Sequence, residues 1–170
     1  MRLAASISID TGVLVEYIDS DGMFHSEAKA LVESVTSGRL SGLVTHVVFA
    51  ELFYVATRLY EQIEEKENAE AKSERLVRWL FNSPNIVMPE NTLELALRAG
   101  RFKKRFALAL PDSYVLACAQ LNGCKAIFKS AEAETERGNK LERLRKEEKV
   151  ELIFLEDYSS QANHSRHLSR

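Results

Sequence analysis

Short apolar runs alternate with helix-forming stretches along this chain, and that alternation limits the fold more than any other feature. The runs are residues 3–9, "NIVMPEN" at 85–91, "CKAIF" at 124–128 and "VELIFL" at 150–155. After the first run, Val13, Leu14, Tyr17 and Ile18 recur at helical spacing, which predicts a helix. Parallel strands need a crossover between them, usually a helix. Strand–helix alternation therefore predicts a parallel sheet covered on both faces. Right-handed crossovers place the strand ends on one side of it. The expected fold class is α/β, a three-layer α/β/α sandwich with a central parallel sheet.

The intervening stretches fill in this scheme. Ser26 is the expected cap of a second helix, "SEAKALVESVTSG", which Gly38 ends. "LSGLVTH" at 40–46 reads as a loop or a short extended piece. No Gly or Pro occurs from Val47 to Ser83. That tract is apolar, then charged, then apolar again, and predicts a helical hairpin with a polar turn near Asn68. "TLELALRAGRFKKRFALAL" and "PDSYVLACAQLNG" are two further helices, the second stopped by Asn122-Gly123. At 170 residues and 45 % hydrophobic content, one domain over 1–158 with a real core is expected. A polar, frayed tail is expected over 159–170.

Charge and cysteine content exclude some classes. A net charge of −2 with 28 % charged residues does not mark a general nucleic-acid binder, so any such contact needs a local basic patch. Cys118 and Cys124 lack the neighbours of a structural zinc site. They read as reduced thiols of a cytoplasmic protein. No signal peptide and no membrane helix, which needs roughly 18 apolar residues, is expected.

Chemistry is carried by acids in unusual places. Asp10 sits where the first strand ends and a helix begins. It is either an N-cap or part of a site, since ligands of open α/β sheets bind outside the carboxyl strand ends. Glu51 has Val47, Val48 and Val55 at helical neighbour positions and Phe49, Leu52 and Phe53 around it. A carboxylate on such an apolar face neutralises, pairs or binds a cation. Asp112 opens a helix and has the same two readings as Asp10. Glu132 and Glu134 follow "CKAIF", either as solvated charge or as further site acids. Converging carboxylates without His or Cys suit a hard cation such as Mg or Mn. Such a cation activates water and balances charge at a phosphodiester.

In "SISIDTGVLVEYI", "THVVFAELFYVATRL", "LALPDSYVLACAQLNGCKAIF" and the acidic segment after it, the chain resembles the PIN-domain family. More narrowly, it looks like the VapC-like ribonuclease toxins and their archaeal relatives. The resemblance spans Ile7 to about Leu155. It implies a small α/β/α sandwich whose acids bind Mg or Mn, and endonucleolytic cleavage of RNA. Asp10 matches the family's first acid, Glu51 the helix glutamate and Asp112 the aspartate of the third motif. Asp10, Asp112 and Glu132 would bind the cation. Glu51 would bind it or orient the attacking water. Ser130 stands where the family often has an aspartate, so Glu132 is the expected substitute and Glu134 its backup.

Thr11 is expected either to hold a metal-bound water or phosphate, or to satisfy first-turn backbone. The basic run "RFKKRF", with Arg101, Lys103, Lys104 and Arg105, would carry RNA phosphates or form a solvated helix face. Phe102 and Phe106 read as core. The resemblance also implies a small antitoxin covering the site and a homodimer, with the hairpin around Trp79 and Phe81 as a possible interface. Two rivals remain at this point: a binding module that does not cut, and a phosphotransfer enzyme with Asp10 as nucleophile. Gly12, where the latter chemistry wants a second acid, argues against it.

Overall fold

The structure, a computed structural model, describes residues 5–63, 66–131 and 140–159, without the side chains of 66 and 67. The chain order is β1 (Ala5–Ile9), α1 (Thr11–Ile18), α2 (His25–Thr36), β2 (Leu40–Leu43), α3 (His46–Ile63) and α4 (Lys66–Phe81). It continues with β3 (Ile86–Val87), α5 (Leu93–Phe106), α6 (Leu110–Asn122), β4 (Lys125–Phe128), α7 (Lys140–Glu147) and β5 (Leu152–Phe154). The five strands form one sheet in the order β3-β2-β1-β4-β5, and all pairings are parallel. Helices α1–α4 pack together on one face and α5 with α6 on the other, where Arg105 of α5 pairs with Glu147 of α7, so the sandwich expected from the alternation is present.

Strand direction alternates side chains between these layers. Ile9 pairs with Ile127 and points toward α2, where its Cδ1 lies near the Gly42 backbone and Val35. Ser8 points the other way and donates its hydroxyl to the Val115 carbonyl of α6 at 3.0 Å. Every strand contributes to one buried apolar cluster. Leu95, Ala99, Phe102 and Phe106 anchor α5 to it at helical spacing, as expected for the two phenylalanines.

One open expectation resolves to its extended alternative, and two others change. Residues 40–43 are a paired strand, β2, that brings the sheet to five. Helix α2 starts at His25 with Phe24 at its N-cap and no side-chain cap bond. Ser26 therefore lies inside the helix and does not cap it. Asn68 lies within α4, so the hairpin does not turn there. Apart from Ser159, which lies in a helical segment that begins at residue 155, the expected tail falls outside the described residues. Among the described residues, no helix is long and apolar enough to cross a membrane.

Candidate functional site

The strand order reverses at β1, which has β2 on one side and β4 on the other. Such a switch point leaves a crevice outside the carboxyl ends of the two strands. Asp10 stands at its edge. Its backbone N–H donates to the Ile127 carbonyl at 3.0 Å, tying the end of β1 to β4. Its Oδ2 accepts the Gly12 N–H at 2.8 Å and caps α1. A side chain on Gly12 would crowd that carboxylate, since its Cβ would stand 3.0 Å from Oδ2. The N-cap reading of Asp10 is thus observed, and the same carboxylate stands at the crevice edge where the site reading puts it.

The electrostatics separate Asp10 from an ordinary cap. It is only 9 % exposed. Burial, then the charge of Asp112, then that of Glu51, push its carboxyl from 3.8 to about 7, against the hydrogen bonds from the Gly12 and Thr11 backbone. Desolvation and like charge both disfavour the ionised form.

Glu51, from α3, is half-buried and accepts the Thr11 hydroxyl at 2.5 Å. The apolar face expected around Glu51 is therefore open on the Thr11 side. The partner of the Thr11 hydroxyl is this carboxylate. Helix α6 begins at Leu110, with Ala109 at the N-cap and Pro in its first turn. Asp112 falls in that first turn and is not the cap, a place where a carboxylate also suits the helix N-terminus. Asp10 and Asp112 line one cavity of about 110 Å³ with Gly12, Lys129 and Ser130 at its polar side. Leu108, Leu116, Phe128 and Phe154 are among its apolar walls. Ser130 thus lies at the site. Glu132 and Glu134 lie outside the described residues.

The basic run sits beside this cavity and does not line it. Lys103 donates to the Leu108 carbonyl at 3.1 Å. Arg105 pairs with Glu147 at 2.5 Å and with Glu148. Arg101, Lys104 and Arg105 border a separate groove with Arg98, Phe102, Gln120 and Glu148.

Sequence reasoning missed two residues. Lys129 is the one cation lining the cavity among the described residues. Its Nζ pairs with Glu16 Oε1 at 2.5 Å, and Glu16 is buried at 3 % exposure. Gly22 packs against this carboxylate, where a Cβ would meet Glu16 Oε2 at 2.6 Å, but in the sequence it reads only as a turn residue.

The donors gathered here are carboxylates and hydroxyls, a set that fits a hard divalent cation such as Mg or Mn. Asp10 and Asp112, which line the cavity, would hold it, with Glu51 binding it or orienting the water, and it would supply charge neutralisation and an activated water. Among the described residues no three or more His, Cys, Asp or Glu are grouped so that they could hold a metal ion by themselves. The described acids would thus share such a cation with water or further ligands.

A family model for the PIN domain matches residues 7–153. The chain belongs to the PIN-domain family. No curated protein sequence matches it. Solved structures share the fold at low identity. A Mycobacterium tuberculosis toxin, VapC20, described as cleaving the sarcin–ricin loop, aligns with TM-score 0.58 and 15 % identity over 78 % of this chain and 95 % of that one. A toxin–antitoxin complex from Klebsiella pneumoniae gives TM-score 0.55 and 15 % identity over 88 % and 97 %. VapBC2 from Rickettsia felis, bound to a DNA fragment from its promoter, gives 0.58 and 10 % over 88 % and 98 %. At these identities the likeness is one of PIN-like fold.

Proposed function

We propose that this PIN-domain protein is a divalent-metal-dependent endoribonuclease and the toxin of a toxin–antitoxin pair. One observation carries the reading: Asp10 and Asp112 line one cavity at the switch point of the sheet, with Glu51 near enough to add its charge to theirs. A fold bears the cost of converging buried acids where a cation relieves it. Membership of the PIN family and the shared fold with toxins, one of them an RNA-cleaving enzyme by its description, support the same reading.

Mg or Mn, when bound, would neutralise the developing phosphate charge and lower the pKa of the attacking water. The chain's own part follows from its geometry. Asp10 is fixed by the Gly12 N–H. Glu51 is oriented by the Thr11 hydroxyl, so its other oxygen can hold the water for in-line attack. Asp112 approaches from α6, and Glu132 is the proposed fourth acid. The basic run would attract RNA from the side of α5. A small antitoxin would cover the site with a helix or an Arg, and the toxin would act as a homodimer in the cytoplasm.

Cleavage of a mixed structured RNA pool in Mn, in Mg and in EDTA, beside Asp10→Asn, tests this. Metal-dependent cutting that the variant lacks is expected. No cutting by folded protein, or cutting that the variant retains, contradicts it. Ser130, which lines the cavity in place of the family's usual aspartate, favours a second reading in that event: a PIN-like module that binds RNA or protein without cutting.

A further inference from the structure

Lys129 and Glu16 form a built device at the cavity wall. Lys129 leaves the carboxyl end of β4, and its stem crosses α1 at Gly12, where an added Cβ would stand 3.2 Å from Lys129 Cβ. Glu16 waits one turn further along α1. Its Oε1 takes the ammonium at 2.5 Å, and its Oε2 accepts the Phe24 N–H at 2.7 Å. The 19–24 loop closes on the carboxylate, leaving room at Gly22 for a hydrogen only. The side chain of Glu16 is 4 % exposed, and that of Lys129 is 45 % exposed.

A buried carboxylate paired this way adds little net stability, because desolvation consumes much of the Coulomb gain. What it provides is position. An ammonium has three donors, and Glu16 takes one. Two remain for another acceptor, on a side chain that is 45 % exposed and lines the cavity whose other polar walls include Asp10 and Asp112. Those carboxylates repel an incoming phosphodiester, and a resident cation offsets the repulsion. The geometry points to Lys129 as the residue that binds a backbone phosphate of the RNA strand at the site, with Glu16 as its positioning residue. This rests on the reading of the cavity as an RNA site.

The test is fluorescence anisotropy of a labelled single-stranded RNA oligonucleotide in EDTA, over a salt series, with melting curves of each variant. Lys129→Met alone leaves Glu16 buried and unpaired, so the double variant Glu16→Gln/Lys129→Met is measured beside it. The double variant is expected to bind about tenfold more weakly, with a log–log salt slope smaller by about one. Lys129→Arg should keep the slope. Glu16→Gln should keep the slope and lose affinity, since the charge remains while its position is lost.

A double variant with unchanged affinity and slope overturns the role of Lys129. Glu16→Gln binding like wild type overturns the role of Glu16. If wild type still cuts RNA in Mn under either result, only this inference fails. Wild type that neither binds nor cuts RNA removes the site reading and the inference with it.

Discussion

Two buried acids on the same short stretch, Asp10 and Glu16, are treated in opposite ways. Glu16 has a lysine on one oxygen and a backbone N–H on the other. Asp10 has a backbone N–H on one oxygen and, among the described residues, no cationic partner; its charged neighbours are Asp112 and Glu51. The fold completes the environment of Glu16 from its own atoms. At Asp10 it adds more negative charge. A buried acid that is neutralised internally fixes the position of its partner, whereas one surrounded by like charge is a candidate place for something from outside.

The largest effect expected from this contrast is on cleavage. Asp10→Asn keeps the capping oxygen and removes the charge, so RNA cleavage should fall about a thousandfold while the fold persists. Initial rates and a melting curve check the pair of outcomes.

The next effect is on stability against pH without metal. Asp10 titrates near 3.8 when unfolded and about 7 when folded, so the native state holds its proton more tightly. Its contribution is fully favourable below pH 3.8 and is lost as pH rises through 7. The loss is on the order of 4 kcal/mol at 1.36 kcal/mol per unit. Denaturant titrations from pH 4 to 8 should show wild type weakening more steeply than Asp10→Asn, and the variant should be the more stable at pH 8. Parallel curves for the two proteins count against the assignment.

Glu16 should give the reverse picture. Lys129→Met strands a buried carboxylate and should cost roughly 3 kcal/mol, whereas removing both charges in Glu16→Gln/Lys129→Met should recover most of it. Gly22→Ala forces a methyl onto the fixed carboxylate and should cost about 1–2 kcal/mol by urea titration. The smallest change is Arg105→Ala. Its pairs with Glu147 and Glu148 are half-exposed, so a loss within about 1 kcal/mol is expected.

The contrast also separates what could be read from the sequence. Asp10 was legible because strand, acid and helix are contiguous in "SISIDTGVLV". Asp112 and Glu51 were legible from their helical surroundings. Phe102 and Phe106 followed from spacing alone. Glu16 was not legible, because a glutamate one turn into a helix reads as solvated, and its partner Lys129 is brought to it only by the β1–β4 pairing. β2 was equivocal for the same reason: four residues with a glycine become a strand by pairing with β1 and β3. The basic run was legible as charge, but its distribution between Glu147, Glu148, the Leu108 carbonyl and an open groove depends on where α7 packs.

The central claim about Asp10 is that it is an acid kept for a cation. Calorimetric titration of Mn into metal-free protein at pH 8, for wild type and Asp10→Asn, measures that directly. Saturable binding to wild type that is lost in the variant is the predicted result. Equal binding by both proteins, or none by folded wild type, would contradict it.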